Sequence, residues 1–316
     1  MNNHITSEES KTNYLYHYTT KKGLLGILES NCLWATQYKY LNDHSEITFA
    51  KEILKKALLE KSENGKKFIE YSFDIIYDSF EKYDIYTTSL CDAEDTYTME
   101  NGLLSQWRGY GNDDGGVYAI VFNKENLVRI FEEEERLGDI ENEKKDEKKK
   151  TKFLNRRVVY SKLYSNGVKN DKEEINNYLE KFKDEISEIV RLLDRPDDID
   201  LLIHSWIKCI SFYKSEGFKE EKEFRFVASL GRGNSSSHKK IKNPLVKPYI
   251  ELFDKNKMDA NGKEDRTENT PLPIEKIIVG PHKDKEKHAT LLKDELASMG
   301  KSNITVTISE IPFIGR

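Results

Sequence analysis

An α+β fold is what this sequence predicts, and three observations predict it. Short runs alternate apolar and polar residues with period two, the pattern of half-buried strands, at 14–19, 221–227 and 304–308. Between them lie longer runs with apolar residues three and four apart, the spacing of amphipathic helices. No repeat of fixed period appears and no linker separates two cores, so residues 1–316 read as a single domain with insertions.

Tyr14-Leu15-Tyr16-His17-Tyr18-Thr19 is an aromatic first strand. Thr19 or Thr20 then caps a helix striped by Leu24, Leu25, Ile27 and Leu28. Asn31 ends it before a short strand, Leu33-Trp34-Ala35-Thr36. Asn42 or Asp43 caps a second helix that reaches about Glu60, with Ile47, Ala50, Leu54 and Leu58 inside. A further amphipathic stretch carries Ile69, Phe73, Ile76 and Phe80. Strands are expected at 86–90, 117–122, 157–160, 249–252 and 274–279, and the segment 104–111 reads as a loop. One long helix runs through Ile175, Tyr178, Phe182, Ile186 and Ile189 until Pro196 closes it. A buried helix follows at 201–213, and the last helix, through Ala289, Leu292 and Leu296, stops at Gly300. Two insertions interrupt this order: 132–152, nearly all charge and read as a solvated helix or disordered stretch, and 230–270, rich in loops.

The composition excludes several classes of protein. With 37% hydrophobic and 11% aromatic residues the chain can build a core. Its net charge of −5, from 51 basic and 56 acidic residues, writes no general attraction for polyanions. The three cysteines, Cys32, Cys91 and Cys209, are far apart in apolar contexts and read as reduced core residues. None sits beside a histidine at zinc spacing, so no metal site is expected. The polar start of the chain lacks the pattern of a signal peptide, and no run is apolar enough for a bilayer. A cytoplasmic protein with no membrane contact is the expectation.

No phosphate loop, GxSxG elbow, HExxH pair or GxGxxG turn is present. The chemistry must therefore come from polar residues in unusual places. His17 lies between Tyr16 and Tyr18; it reads as a core histidine, or as an imidazole beside a flat heteroaromatic ligand. Asn42-Asp43-His44-Ser45-Glu46 reads as a capping box or as a binding element. Ser105-Gln106-Trp107-Arg108-Gly109-Tyr110-Gly111 sets an arginine between two large aromatics, which suits stacking on a base and pairing with a phosphate, or anchors a loop to the core. Glu221, Glu223 and Arg225 fall on one face of a strand, with Phe224 and Phe226 opposite. They form surface ion pairs, or a pair in which one carboxylate polarises a hydroxyl while the other activates a nucleophile.

These stretches, together with Ser89-Leu90, Gly115-Gly116-Val117, Val279-Gly280-Pro281 and Ser309-x-x-Pro312, resemble the bacterial domain-of-unknown-function family 2971 from about Tyr14 to the C-terminus. The opening strand, the Gly-Leu-Leu-Gly-Ile-Leu helix and Leu33-Trp34-Ala35-Thr36 also resemble the start of ADP-ribosyltransferases that use a His-Tyr-Glu triad. That resemblance implies an ADP-ribosyltransferase-like split sheet, antiparallel or mixed, surrounded by helices. It implies an enzyme that cleaves the nicotinamide–ribose bond of NAD as its substrate, in a bacterial phage-defence or toxin setting. ADP-ribose would pass to a protein, a nucleic acid or water. His17 would hold the ribose, Tyr18 would stack on nicotinamide, and Glu221 or Glu223 would stabilise the oxocarbenium-like transition state. Arg108 would bind the diphosphate and Trp107 or Tyr110 would stack on a base, while Arg225 balances the charge of its strand. Thr36, Asn42 and Ser105, within the shared motifs, complete the substrate-binding set. Two other readings stand beside this one. The first is a non-catalytic nucleotide- or partner-binding module of the same fold, and the second a nuclease holding magnesium on Asp43, Glu46, Glu221 and Glu223.

Overall fold

Eleven strands among the described residues carry the period-two runs of the sequence, and nine of them join one sheet. The structure is a computed structural model and describes residues 13–41, 45–61, 83–110, 116–144, 151–161, 172–194, 199–231, 247–253 and 271–312. The sheet contains β1 (Tyr14–Thr20), β2 (Leu33–Gln37), β3 (Tyr83–Asp92), β4 (Val117–Asn123) and β5 (Thr151–Arg157). A short parallel pair outside it comprises β6 (Val159–Ser161) and β7 (Tyr213–Ser215). The remaining members of the sheet are β8 (Glu223–Gly231), β9 (Tyr249–Leu252), β10 (Ile274–Val279) and β11 (Thr305–Ile308). All neighbours in it run antiparallel except β10 and β11, so the fold is mixed α+β.

β3 is the strand on which the sheet branches. Along one edge it pairs with β8, from Tyr83↔Gly231 to Cys91↔Glu223. Along the other it is registered with β1 at Leu15 and Tyr16, and with β2 at Thr36 and Gln37. β1 then continues against β4 and β2 against β9, so the two strands fork away from the middle of β3. The fork leaves Thr88 to Leu90 at its apex.

Nine helices are found among the described residues: α1 (Lys21–Ser30), α2 (Ser45–Lys61), α3 (Thr96–Asn101), α4 (Leu104–Tyr110), α5 (Lys124–Lys144), α6 (Lys172–Lys181), α7 (Lys183–Asp194), α8 (Ile199–Ser211) and α9 (Lys285–Ser298). α1 starts where the Thr20 hydroxyl accepts from the Gly23 N–H, and ends at Asn31 in the left-handed region, φ 53°. Its Leu24, Ile27 and Leu28 join Phe131 of α5 and Leu292 of α9 on one face of the sheet, over Phe224 and Phe226. On the other face α2, α6, α7 and α8 bury Ile85 and Val227, while Trp107 of α4 covers Tyr16 and Tyr18. Each large apolar side chain so enclosed contributes roughly 1.5–3 kcal/mol. No helix among the described residues is long and apolar enough to cross a membrane, and all three cysteines are buried thiols.

Several expected elements are corrected. The segment read as a loop at 104–111 is the helix α4, because Trp107 is needed in the core and the helix delivers it there. The charged stretch at 132–152, read as a solvated helix or a disordered insertion, is helical as far as Lys144 and is not solvated throughout. α5 runs through it to Lys144, Glu134 is buried where it accepts from the Phe253 N–H at 2.9 Å, and β5 begins at Thr151. The long helix through Ile189 is two helices that meet at Phe182. The stretch from Ile69 to Phe80, and most of 230–270, lie outside the described residues.

Two glycines explain how Trp107 is seated. A Cβ on Gly102, whose φ is +76°, would stand 2.5 Å from the indole, and one on Gly280 would stand 2.8 Å from both the indole and the Val117 carbonyl. The ring fits because both positions lack a side chain. Gly280→Ala is expected to lower stability by about 1–3 kcal/mol, since neither the backbone nor a fully buried indole can yield cheaply. Urea denaturation checks it; a change below about 0.5 kcal/mol would show that the slot is loose.

Candidate functional site

Three of the polar residues that the sequence offered, Glu221, Glu223 and Arg225, meet where β8 leaves its preceding turn. Glu216–Glu221 is a short 3-10 helix, Lys222 adopts the left-handed region with φ 47°, and β8 begins only at Glu223. Glu221 therefore does not share a strand face with Glu223, contrary to the alternation read from the sequence. The two carboxylates are joined by a cation instead: Lys214 Nζ donates to Glu221 at 2.8 Å and to Glu223 at 3.1 Å.

Glu223 is 3% exposed. Arg225, two residues along the same strand face, donates Nε to one carboxylate oxygen at 2.6 Å and Nη2 to the other at 3.0 Å. This bidentate fork is the strong form of the ion pair. Arg225 also donates Nη1 to the Ser211 carbonyl at 2.8 Å, at the C-terminal end of α8, where the helix dipole favours a cation. Ser89, opposite Arg225 on β3, adds a hydroxyl bond to Glu223, and the Glu223 N–H donates to the Tyr160 hydroxyl at 2.7 Å. Burial by itself would raise the Glu223 carboxyl, but Arg225, Lys214 and Ser89 outweigh it and pull it to about 2. The residue is an anion throughout the neutral range.

The rim of this cluster is aromatic and partly open. Tyr110, at the end of α4, is 44% exposed; its partial enclosure, then Cys91, Glu221 and Glu223, push its phenol above the usual value against the opposing pull of Lys214. Phe218 is exposed on the 3-10 turn, and Lys214 Nζ lies 4.6 Å from its ring centre. Arg108 and Ser105 ride on α4 as well, the first exposed and the second half-buried. Thr36 lies on β2 beside Thr87, on the same face of the sheet as Ser89.

The other expected residues are placed differently. Tyr18, expected to stack on nicotinamide, is 3% exposed, and its hydroxyl accepts from the Leu103 N–H at 2.7 Å. Trp107, expected to stack on a base, is 1% exposed, meets the Tyr18 ring edge-on at 4.8 Å, and donates its indole N–H to the Asn101 carbonyl. Both rings are consumed by the core. His17 is half-buried, and its Nδ1 lies 3.4 Å from the Ser89 carbonyl. Burial lowers its pKa against the opposing effect of that bond, which leaves a neutral ring donating from Nδ1. Strand register puts Tyr16 on the Glu223 face and His17 on the opposite one, so imidazole and carboxylate reach Ser89 from different sides. Asn42 and Asp43, and the side chain of Glu46, lie outside the described residues.

Sequence reasoning missed Lys214, Ser89, Tyr160 and Phe218 as members of the site. One signal was available: Lys214 follows the apolar run Trp206 to Tyr213, where a cation needs a buried partner.

Comparison with known proteins finds one family model that matches part of the chain, and it carries no activity. Residues 106–226 match the model of a family described as a protein of unknown function (DUF2971). The matched segment contains Tyr110, Lys214, Glu221, Glu223 and Arg225. No curated protein and no solved structure matches the chain.

Proposed function

We propose that this site cleaves the nicotinamide–ribose bond of NAD and transfers the ADP-ribose to an acceptor, as the resemblance of the opening strands to ADP-ribosyltransferases implies. The observation that supports it is the pair of carboxylates sharing Lys214 beneath an aromatic rim. In the reaction the C1′–N bond breaks and its electron pair leaves on the ring nitrogen, so nicotinamide departs neutral. The ribose is left as an oxocarbenium ion at C1′. An acceptor oxygen or nitrogen then attacks C1′ and releases its proton to solvent.

The chain's own groups divide this work. Glu221, partly exposed at the edge of the cluster, is the carboxylate that faces the ribose and stabilises the developing positive charge. Lys214 fixes it in place, and Glu223 with Arg225 fixes Lys214. Tyr110 replaces Tyr18 and Trp107 as the ring that stacks on nicotinamide, and Arg108, on the same helix, takes the diphosphate. His17 acts as a positioning residue that ties the Ser89 carbonyl.

The nuclease reading has less support. Among the described residues no three His, Cys, Asp or Glu side chains gather as a metal site would need, and an ammonium already bridges Glu221 and Glu223. The test is to incubate the protein with NAD and follow free nicotinamide, with thermal shift read in parallel. Nicotinamide release is expected. A thermal shift without release would replace the enzyme by a nucleotide-binding module, and neither signal would end both readings.

A further inference from the structure

On the same face of the sheet, outside the ionic cluster, stands an aromatic pair with no part in the chemistry above. Trp34 of β2 is 52% exposed and stacks on Tyr249 of β9, ring centres 4.3 Å apart and planes 24° from parallel. Register fixes their position. Thr36 pairs with Thr87, and two residues along each strand, about 7 Å, lead to Trp34 and to Ser89. Even residues of β2 and odd residues of β3 share one face, so Trp34 and the Glu223-bound hydroxyl of Ser89 lie across the fork on one side of the sheet.

We infer that the Trp34–Tyr249 stack is a platform for a nucleobase bearing an exocyclic amine, as adenine does; naming it the adenine end of NAD rests on the proposed reading of the carboxylate cluster. Flat rings of opposite edge and face charge stack on an exposed indole, whatever the base. The chemistry of the end that sits here comes from Glu251, the direct cross-strand partner of Trp34, whose side chain shares its face about 5 Å away at Cβ. A carboxylate there repels a phosphate and accepts from an amino group. The base therefore lies on Trp34, and the phosphates point back toward Arg108 and the cluster.

The site brings its own reporter. Of the three tryptophans, Trp107 and Trp206 are each 1% exposed, so the red edge of the protein's emission belongs to Trp34. Titration with adenosine 5′-monophosphate is expected to quench that emission saturably, and inosine 5′-monophosphate, which lacks the amine, to bind several-fold more weakly. Trp34→Ala, a change at an exposed position, is expected to raise KM for NAD roughly ten-fold with kcat little changed, as loss of one stacked base implies. No quenching by the adenine nucleotide, or equal quenching by ribose 5-phosphate, overturns the platform. Equal quenching by the two purine nucleotides overturns the role of Glu251. Nicotinamide release without quenching would leave the carboxylate reading intact and remove this one. Quenching without release would do the reverse.

Discussion

Replacing Glu223 by alanine is expected to cost about 3–5 kcal/mol of stability, because it leaves two cations in the interior without their shared anion. Arg225 is 6% exposed and Lys214 is 8% exposed, so water cannot take over from the lost carboxylate. The tie of Arg225 to the end of α8 would remain, but a helix terminus supplies only part of a charge. Removing both members of the fork, with Glu223→Leu and Arg225→Met, is expected to recover most of that loss, since Lys214 keeps Glu221. The pH dependence follows from the same residue. Its folded value of about 2 lies below the ordinary 4.5, so its contribution is complete above about pH 4.5 and is lost as pH falls from there toward 2. Urea denaturation at neutral pH, and melting temperatures across the acid range, measure both effects. A single substitution that costs less than about 1 kcal/mol, or an acid slope unchanged in the double variant, would mean that water reaches the cluster.

Much of the fold was legible because its signals are local. The strand β1, the helix α1 and the Gly300 stop of α9 each depend on a few neighbouring residues and formed where they were read, although β1 is buried on both faces and Leu25 stays out of the buried stripe of α1. The failures share a different cause. α4 resembles a loop in sequence, since two glycines and a polar majority surround Trp107; the slot that seats its Trp107 is formed by Gly102 and Gly280, far apart along the chain. Glu134 sits in a run of four glutamates, and its burial draws on a distant partner, Phe253, which at φ 62° donates its N–H to the carboxylate. Period two extended backward from β8 enlists Glu221, and nothing in that pattern reveals the left-handed Lys222 that breaks it. The site was therefore half legible. Its anions were visible as a spacing, whereas the lysine that joins them arrives from a strand outside the main sheet.

Glu221→Gln is expected to reduce kcat for nicotinamide release by about a hundred-fold or more, while moving the melting temperature by no more than a few degrees. The change keeps the size of the side chain and removes the charge that the proposed reaction sets against the ribose, and it leaves Glu223 to satisfy Lys214. Since the interaction strengthens only as C1′ becomes positive, KM is expected to stay within a few-fold of the wild type. Glu223→Gln is expected to lower activity and stability together, because in the proposed reaction its anion acts only through Lys214. That contrast separates a carboxylate that meets the substrate from one that holds it there. A Glu221→Gln protein with full turnover, beside a well-folded but inactive Glu223→Gln protein, would exchange the two roles and place the ribose over β8. The buried fork of Glu223 and Arg225 would then have to open during catalysis, and its 2.6 Å and 3.0 Å bonds would describe the resting enzyme only.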